Sequence, residues 1–240
     1  MKSTIFDGEQ EEMIIDLKNS SQDQVSIIIV HNNALDYLNI CLQSISVCSV
    51  NNNIEIIVVD NGSDKQTQDF LSEIQDEVKV IRNEKNLYWA AAANKGAEAA
   101  DKHSKYLIFM HHDVVVENPG WIDLMINAAE SQNSGMVGLQ LGSFKMEDQR
   151  IDYIKEWCLL FTRECWNKIG PFPTELPQLG GSFIMTRKAQ LAKYNPQSLK
   201  NKICHHYGIF RLNINEWERI QEESYVMMPK LLRKLYSDNV

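Results

Sequence analysis

Runs of aliphatic and β-branched residues alternate in the first half of the chain with segments whose apolar positions recur at helical spacing. Continuous apolar runs predict strands buried on both faces, and the helical spacing predicts helices between them. The predicted strands are residues 25–30, 54–60, 78–83 and 106–110, and the predicted helices are residues 32–47, 67–74, 90–100 and 119–131. This alternation predicts an α/β fold with an open, mostly parallel sheet and helices on both faces.

The second half of the chain has a weaker pattern. Residues 136–142 are predicted to form a further strand, whereas 157–162 and 182–186 are short apolar segments separated by IGPFPTELPQLGG, which predicts a loop with turns. A charged helix is predicted from residue 216, with Pro229 as a point where it can break. The predicted organisation is a polar N-terminal extension at 1–24, one α/β domain at 25–215 and a C-terminal helical segment at 216–240.

Charge and cysteine usage limit the functional classes. The formal net charge is −8, which argues against a nucleic-acid partner because nucleic-acid binding needs a basic surface. The first residues, MKSTIFDGEQEE, lack the apolar core of a secretory signal, and no apolar run approaches the roughly 20 residues of a membrane helix. The 5 cysteines are scattered without a CxxC pair, which predicts reduced thiols and a cytoplasmic protein.

Polar residues gather where the predicted strands end. These ends carry HNN at 31–33, DNGS at 60–63, NEKN at 83–86 and HHD at 111–113. In open parallel sheets, ligands bind outside the carboxyl ends of the strands. The four stretches are therefore the candidate binding residues.

The stretch KYLIFMHHDVVV at 105–116 is the most specific of these ends. On extended backbone, residues two apart share a face, so His111 and Asp113 are predicted to point one way and His112 the other. An imidazole beside a carboxylate can hold a divalent cation, and the carboxylate favours hard ions such as Mg²⁺ or Mn²⁺. The alternative is a structural pair in which the histidine is hydrogen-bonded to the aspartate.

Three weaker features each leave two interpretations open. Asp60 can accept hydrogen bonds from a base or ribose, or can act only in the Asn-Gly-Ser turn that follows it. His205 and His206 can supply a distant metal ligand, or can be surface residues. The small residues in NLYWAAAANKG at 86–96 allow either a ligand near the helix start or close packing of that helix on the sheet.

Taken in order, four stretches resemble those of a family 2 glycosyltransferase of the GT-A fold. They are VSIIIVHNN at 25–33, IEIIVVDNGSDKQTQDFL at 54–71, IRNEKNLYWAAAANKGAEAA at 81–100 and KYLIFMHHDVVVENPGWIDLM at 105–125. The resemblance covers about residues 25–206. It implies the GT-A fold and transfer of a sugar from a nucleotide-sugar donor.

The resemblance also implies roles for particular residues. Asp113 takes the place of the last acid in an Asp-x-Asp-type motif, which holds a divalent ion, Mn²⁺ or Mg²⁺, on the donor diphosphate. His111 stands in place of the first acid, as in a His-x-Asp variant, and His205 or His206 matches a late histidine near the diphosphate or metal. The implied nucleotide-sugar contacts are His31, Asn32, Asp60, Asn86, Asn94, Lys95 and His112.

Two departures from the family pattern bear on activity. Tyr88 stands where the family commonly has glycine. In LGGSFIMTRKAQ, at 179–190, Ser182 and Phe183 stand where an acidic pair is expected. An inverting transfer needs a general base, and Glu175 is the candidate, with Asp152 also near in sequence.

The resulting hypothesis is an inverting, metal-dependent enzyme. It would move a sugar from a UDP-, GDP- or dTDP-linked donor to a hydroxyl of a glycan, a lipid-linked molecule or a protein. The alternative is a non-catalytic relative that binds a nucleotide or glycan, because the acidic pair is missing. A nucleotidyltransferase would need a Gly-rich basic loop after the first strand, and HNNALDYLN provides none.

The C-terminal stretch PKLLRKLYSD, at 229–238, is amphipathic with a basic face. It predicts either contact with a membrane surface, where many relatives find lipid-linked acceptors, or docking of a helix on the domain.

Overall fold

The architecture is given by a computed structural model that describes residues 2–6, 12–16, 23–146, 149–199, 203–208 and 214–238. The strands are β1 (Lys2–Phe6), β2 (Glu12–Asp16), β3 (Val25–His31), β4 (Ile54–Asn61), β5 (Lys79–Asn83), β6 (Tyr106–His111), β7 (Val114–Val116), β8 (Met136–Gly138), β9 (Leu141–Met146), β10 (Gln149–Ile154), β11 (Cys158–Thr162), β12 (Gln197–Ser198) and β13 (Cys204–His206). The helices are α1 (Leu35–Cys48), α2 (Lys65–Glu73), α3 (Tyr88–Ala99), α4 (Trp121–Glu130), α5 (Arg163–Ile169), α6 (Gly181–Leu191) and α7 (Ile214–Ser237), with a short 3₁₀ helix at Ser131–Asn133.

The main sheet has 7 strands in the order β12-β8-β11-β6-β3-β4-β5. β3 pairs in parallel with β4 and β6, and β4 pairs in parallel with β5. β11 runs antiparallel between β6 and β8, and β12 is parallel to β8. The predicted mostly parallel sheet is therefore confirmed, with β11 as the reversed strand among those described.

Successive residues of β3 face two different cores, one on each side of the sheet. Ile27 and Ile29 pack with residues of α1, α2 and α4, whereas Ile28 and Val30 pack with residues of α3, α5 and α6. Burial on both faces explains why this strand is a continuous apolar run without alternation. The prediction of helices on both faces is confirmed.

Helix α6 lies where the sequence predicts only a short apolar segment at 182–186. Phe183 and Ile184 pack in a third core with residues of α7, while Met185 and Ala189 pack against the main sheet. A helix that is buried on two sides lacks a wide polar face. Its sequence therefore lacks the period that identifies an amphipathic helix.

The strand predicted at 136–142 is two strands, β8 and β9. β9 lies outside the main sheet and pairs antiparallel with β10 in a hairpin that the sequence pattern does not predict. Gly138, the last residue of β8, lets the hairpin pack closely, because a Cβ there would lie 2.1 Å from Cγ2 of Ile154. The turn from β10 into β11 reaches the carboxyl ends of the parallel strands.

The two ends of the chain add elements to the predicted domain. Within the polar N-terminal extension, β1 and β2 pair antiparallel. α7 continues through Pro229, so the predicted break at that residue is not found. Met228 and Leu232 of α7 pack in the third core, as the docking interpretation of this helix predicts.

In the described part of the chain, no helix has both the length and the apolar character needed to cross a membrane.

Gly96 determines how closely α3 packs on the sheet. A Cβ at this position would lie 2.2 Å from Cγ2 of Ile28 and 3.1 Å from Cγ2 of Val59. We therefore expect Gly96→Ala to lower the free energy of unfolding by about 1–3 kcal/mol through overpacking. The same substitution in an exposed helix would raise it by about 1 kcal/mol, so the sign of the change is diagnostic.

Urea denaturation measures this effect, with Glu98→Ala as the matched control. Glu98 is exposed on the same helix, and its replacement should change stability little. A Gly96→Ala protein as stable as the wild type would contradict the close packing of α3 on β3 and β4.

Candidate functional site

The carboxyl ends of β3, β4 and β6 border a cavity of about 420 Å³. This volume lies within the range of small-molecule sites. Among the predicted site residues, those that line it are His31, Asn32, Asn86, His111, His112, Asp113 and His206. Those that do not line it are Asp60, Asn94, Lys95, Glu175 and His205.

His111, Asp113 and His206 form a cluster in this cavity. One ligand atom from each lies within 4.8 Å of the other two. Oδ1 of Asp113 is 3.3 Å from Nε2 of His206 and 4.0 Å from Nδ1 of His111, and the two ring nitrogens are 3.3 Å apart. β13 pairs antiparallel with β7, and this pairing places His206 opposite Val114, next to Asp113.

The chemistry of the cluster suits a divalent cation. Asp113 is 3% exposed. Loss of water around the ring lowers the pKa of His111 to about 3, with a smaller contribution from His206, while Asp113 opposes the shift. A histidine must be neutral to bind a metal. The set combines two imidazole nitrogens, which suit transition metals, with a carboxylate oxygen, which suits Mn²⁺. The residues present therefore fit the ion that the sequence resemblance implies.

Two tryptophans hold the rings of the cluster in place. Trp157 stacks on His206 with ring centroids 5.2 Å apart and an interplanar angle of 5°. Trp89 contacts His111 edge-on, with centroids 4.5 Å apart. Packing of this kind limits ring rotation and fixes the direction of the ligand nitrogens.

The structure separates the two adjacent histidines of the predicted pair. His206 lies in the cluster, whereas His205 is exposed and its ring contacts Tyr207 at 4.6 Å. The alternation of side chains along β13 sends them in opposite directions. His205 is thus not positioned as a ligand of this cluster.

His112, which is predicted to point away from His111, lines the same cavity. Its Nδ1 is 3.2 Å from the carbonyl oxygen of Val30. Its ring meets that of His31 edge-on, with centroids 4.9 Å apart. The carboxyl ends of β3 and β6 therefore present a second imidazole pair beside the His111–Asp113–His206 cluster.

Asn61 is a central residue of the site, although within the predicted DNGS stretch the sequence gives it no role of its own. Its Nδ2 donates to Oδ1 of Asn86 at 2.8 Å and to the carbonyl of Tyr88 at 3.2 Å. Its Oδ1 accepts from Nδ2 of Asn83 at 3.1 Å and from the backbone N–H of Leu87 at 2.9 Å. This buried side chain connects the end of β4 to the loop that leads into α3.

Asp60, next to Asn61, is used by the turn itself. Its Oδ1 accepts the backbone N–H of Ser63 at 3.0 Å, and its Oδ2 is 3.4 Å from a guanidinium nitrogen of Arg82. Asn32 spans the same turn, because its Nδ2 donates to the carbonyl of Asn61 at 3.0 Å. These contacts favour the turn interpretation of Asp60.

Asn94 and Lys95 also make structural contacts. Asn94 exchanges two hydrogen bonds of 2.9 Å with the backbone of Phe172. Nζ of Lys95 donates to Oδ1 of Asn83 at 2.6 Å. Both residues brace α3 against its neighbours.

The acidic residues of the second half are arranged differently from the prediction. Glu175 is exposed on the loop before α6 and lies outside the cavity. Glu156, in the turn between β10 and β11, lines the cavity, and its Oε2 accepts a hydrogen bond of 2.6 Å from Oγ of Ser182. Burial raises the pKa of the Glu156 carboxyl above its usual value, while the hydrogen bonds from Ser182 oppose this shift. The sequence gives no signal for Glu156, because it lies in a turn of the hairpin that was not predicted.

The model of the protein family described as "Glycosyl transferase family 2" matches residues 26–195, which is most of the chain. The chain belongs to glycosyl transferase family 2. The match begins within β3 and ends after α6, so it contains His111, Asp113, Glu156 and Ser182.

Two solved structures of glycosyltransferases share the fold. The mannosyltransferase PcManGT from Pyrobaculum calidifontis, in complex with GDP-Man and Mn²⁺, superposes with a TM-score of 0.66 at 14% identity and covers 84% of this chain and 61% of its own. TarS 1-349 of S. aureus, in complex with UDP-GlcNAc, gives a TM-score of 0.57 at 15% identity over 82% of this chain and 64% of its own. These likenesses confirm the predicted GT-A fold.

A curated relative adds no functional information. The uncharacterized protein y4gI of Sinorhizobium fredii is 31% identical over 121 residues, which is 49% of this chain. The chain spans 13% of the length of that relative.

Tyr88 is where this glycosyltransferase family 2 chain departs from the common glycine. Its φ of 60° lies in the left-handed region that glycine adopts without steric cost. Its hydroxyl donates to Oε1 of Glu216 in α7 at 2.7 Å, a contact that raises the pKa of Tyr88. α7 also supplies Trp217 to the cavity wall. Tyr88 therefore anchors the start of α3 to a helix that covers the site.

Proposed function

We propose that this chain is an inverting glycosyltransferase that moves a sugar from a nucleotide-sugar donor to a hydroxyl acceptor. The observation that carries the proposal is the His111–Asp113–His206 cluster at the carboxyl ends of parallel strands in a family 2 domain. A metal-capable cluster inside a cavity of suitable size is what a donor diphosphate requires.

The three side chains of the cluster would hold Mn²⁺ or Mg²⁺. When bound, such an ion neutralises the charge that develops on a departing nucleoside diphosphate. Asp113 contributes the single negative charge of the cluster, and the depressed pKa of His111 keeps that ring in its metal-binding form. Trp89 and Trp157 restrict the motion of the rings.

The other predicted residues of the cavity wall are proposed to contact the nucleotide sugar. His31, Asn32 and His112 lie at the ends of β3 and β6, on the side proposed for the base and ribose, and Asn86 lies beside Asn61 at the start of α3. Asp60, Asn94 and Lys95 would act through the turn and the helix that they brace. The donors bound by the two structural neighbours, GDP-Man and UDP-GlcNAc, support a GDP- or UDP-linked donor, and a dTDP-linked donor is proposed from the sequence resemblance alone. A glycan or lipid-linked acceptor, and a peripheral membrane contact through α7, remain part of the proposal.

Binding of the donor can be tested by a thermal-shift panel. UDP, GDP, dTDP, GDP-mannose and UDP-GlcNAc are each added with Mn²⁺ or with EDTA. A ligand at about 100 times its Kd adds roughly 2.7 kcal/mol. For a domain of this size, that is a rise in Tm of about 5–10 °C. We expect such a rise for one nucleotide and its sugar, in the presence of Mn²⁺ only. A panel without any shift would contradict the donor site.

A second candidate function is binding without turnover. Ser182 and Phe183 occupy the positions where the family offers an acidic pair, and Phe183 is buried in the third core. A non-catalytic relative would show the thermal shift but would release no nucleoside diphosphate from any donor. Steady release of nucleoside diphosphate would contradict this alternative.

A further inference from the structure

We infer that Glu156 is the general base that accepts the proton of the acceptor hydroxyl, at a position where the carboxylate comes from the β10–β11 turn instead of from α6. The inference rests on the proposed function and names a catalytic residue for it. It also accounts for the missing acidic pair at Ser182 and Phe183.

The composition of the cavity wall leaves few groups for this role. Among the described residues that line it, the carboxylates are Asp113 and Glu156. Asp113 belongs to the metal cluster. His111 and His206 belong to it as well, and the ring of His112 is bonded to the carbonyl of Val30. The fourth histidine of the wall, His31, lies at the end of β3 on the side proposed for the base and ribose. Glu156 is the remaining carboxylate that faces the cavity.

Glu156 is held next to the metal cluster by the residue that follows it. The carbonyl of Trp157 accepts the backbone N–H of His111 at 3.0 Å, and the Trp157 ring stacks on His206. Trp157 therefore ties the end of the β10–β11 turn to both histidines of the cluster, to His111 through its backbone and to His206 through its ring. A base at this point lies in the same cavity as the cluster proposed to hold the diphosphate, where the acceptor hydroxyl would approach the anomeric carbon from the face opposite the leaving phosphate.

Ser182 orients the carboxylate from the opposite side. Both the hydroxyl and the backbone N–H of Ser182 donate to Oε2, at 2.6 Å and 3.4 Å. Ser182 lies in the first turn of α6, where the helix dipole favours a negative charge. Among the described residues, no hydrogen bond to Oε1 of Glu156 is found, so Oε1 can accept a proton. α6 lacks the acidic pair that the family pattern predicts there. The carboxylate of Glu156 instead lies at the start of the same helix, where it accepts a hydrogen bond from Ser182.

The reaction that follows is balanced without a further reactant. The acceptor oxygen forms a bond to the anomeric carbon as its proton passes to Oε1 of Glu156. The bond from that carbon to the phosphate oxygen breaks, and its electron pair leaves with the nucleoside diphosphate. Burial raises the pKa of this carboxyl, which brings it nearer to the range in which a base works well at neutral pH.

The experiment compares Glu156→Gln with the wild type in the full chain with Mn²⁺. GDP-mannose and UDP-GlcNAc are the donors, and release of nucleoside diphosphate is measured with water as the acceptor. Loss of a general base should slow release by about 10²–10⁴-fold. The thermal shift with the nucleotide should stay unchanged, since Glu156 is not proposed to contact the donor nucleotide. Glu98→Gln, exposed on α3, is the matched control and should retain the wild-type rate.

Sodium azide distinguishes a base from a structural residue. Azide attacks as an anion and has no proton to lose, so it should restore release in Glu156→Gln and give a glycosyl azide product. Ser182→Ala keeps the carboxylate and serves as a second variant should Glu156→Gln fold poorly. It should slow release with water and leave the azide reaction unchanged.

Three outcomes would overturn the inference. They are a Glu156→Gln protein that binds the nucleotide and releases product at the wild-type rate, a slow variant that azide does not restore, and a loss of rate in Glu175→Gln instead. A wild-type protein that shows no thermal shift with any donor would contradict the proposed function itself. The thermal shift is measured separately from the release of nucleoside diphosphate, so the two failures can be distinguished.

Discussion

Replacement of Asp113 by asparagine is expected to abolish the Mn²⁺ dependence of donor binding and to slow transfer by at least about 100-fold. Asp113 is the anionic member of the cluster and is 3% exposed. Asparagine keeps the shape but removes the charge that holds a hard cation. A metal that polarises a phosphoryl oxygen contributes several kcal/mol to a transition state, and about 3 kcal/mol corresponds to about 100-fold in rate.

The measurement is release of nucleoside diphosphate over a titration of Mn²⁺, with Asp76→Asn as the control for loss of one carboxylate. Asp76 is exposed in the turn before β5, and its replacement should leave both the rate and the apparent Mn²⁺ affinity unchanged. If Asp113→Asn kept its Mn²⁺ response, the ion would have to bind elsewhere.

The adjacent histidines give a sharper comparison within the same strand. His206→Ala should weaken Mn²⁺ binding, because His206 supplies a ligand nitrogen 3.3 Å from Oδ1 of Asp113. His205→Ala should leave Mn²⁺ binding unchanged, because its ring contacts Tyr207 outside the cluster. Equal losses in the two variants would contradict the direction of the side chains along β13.

The sequence predicts the part of the site whose residues lie close together in the chain. His111 and Asp113 are two residues apart after an apolar run, and the structure brings them together. It does so through a turn at residues 112–113 between β6 and β7, instead of the extended backbone on which the prediction rests. The position of the cavity also follows from the pattern, because parallel strands end at the same edge of a sheet. These features depend on local spacing and on a general rule of packing.

The remainder of the site depends on contacts that local spacing does not contain. His206 joins His111 across 95 positions of sequence, through the pairing of two short strands outside the main sheet. Which of two neighbouring histidines faces the cluster depends on the register of that pairing. Glu156 depends on a hairpin whose strands are less apolar than those of the main sheet. Long-range pairing thus decides the ligand and the candidate base.

Asn61 shows how turn chemistry can hide a structural role. In the sequence, the Asn-Gly-Ser stretch is typical of a turn, and the preceding Asp60 is the more obvious ligand. Gly62, with a φ of 74°, packs so closely that a Cβ there would lie 2.6 Å from the backbone carbon of Lys85. This approach brings the loop that leads into α3 within reach of the Asn61 amide. The amide is then the main polar link between β4 and the start of α3.

Asn61→Ala should therefore lower the free energy of unfolding by about 3 kcal/mol, since it removes four hydrogen bonds and leaves buried polar groups without partners. For a domain of this size, that is a fall in Tm of about 6–12 °C. Thermal and urea unfolding measure the effect. Asn39→Ala, at an exposed position of α1, is the matched control and should have little effect.

Asn61→Asp separates the donated from the accepted hydrogen bonds. The carboxylate can still accept from Asn83 and Leu87, but it can no longer donate to Asn86 and Tyr88 and places a charge beside their oxygens. We expect a loss of stability comparable to that of Asn61→Ala, together with weaker nucleotide binding, because Asn61 and Asn86 both line the cavity. An Asn61→Asp protein with wild-type stability would show that the two donated hydrogen bonds contribute little, and the link between β4 and α3 would have to rest on Asn83 and Gly62 instead.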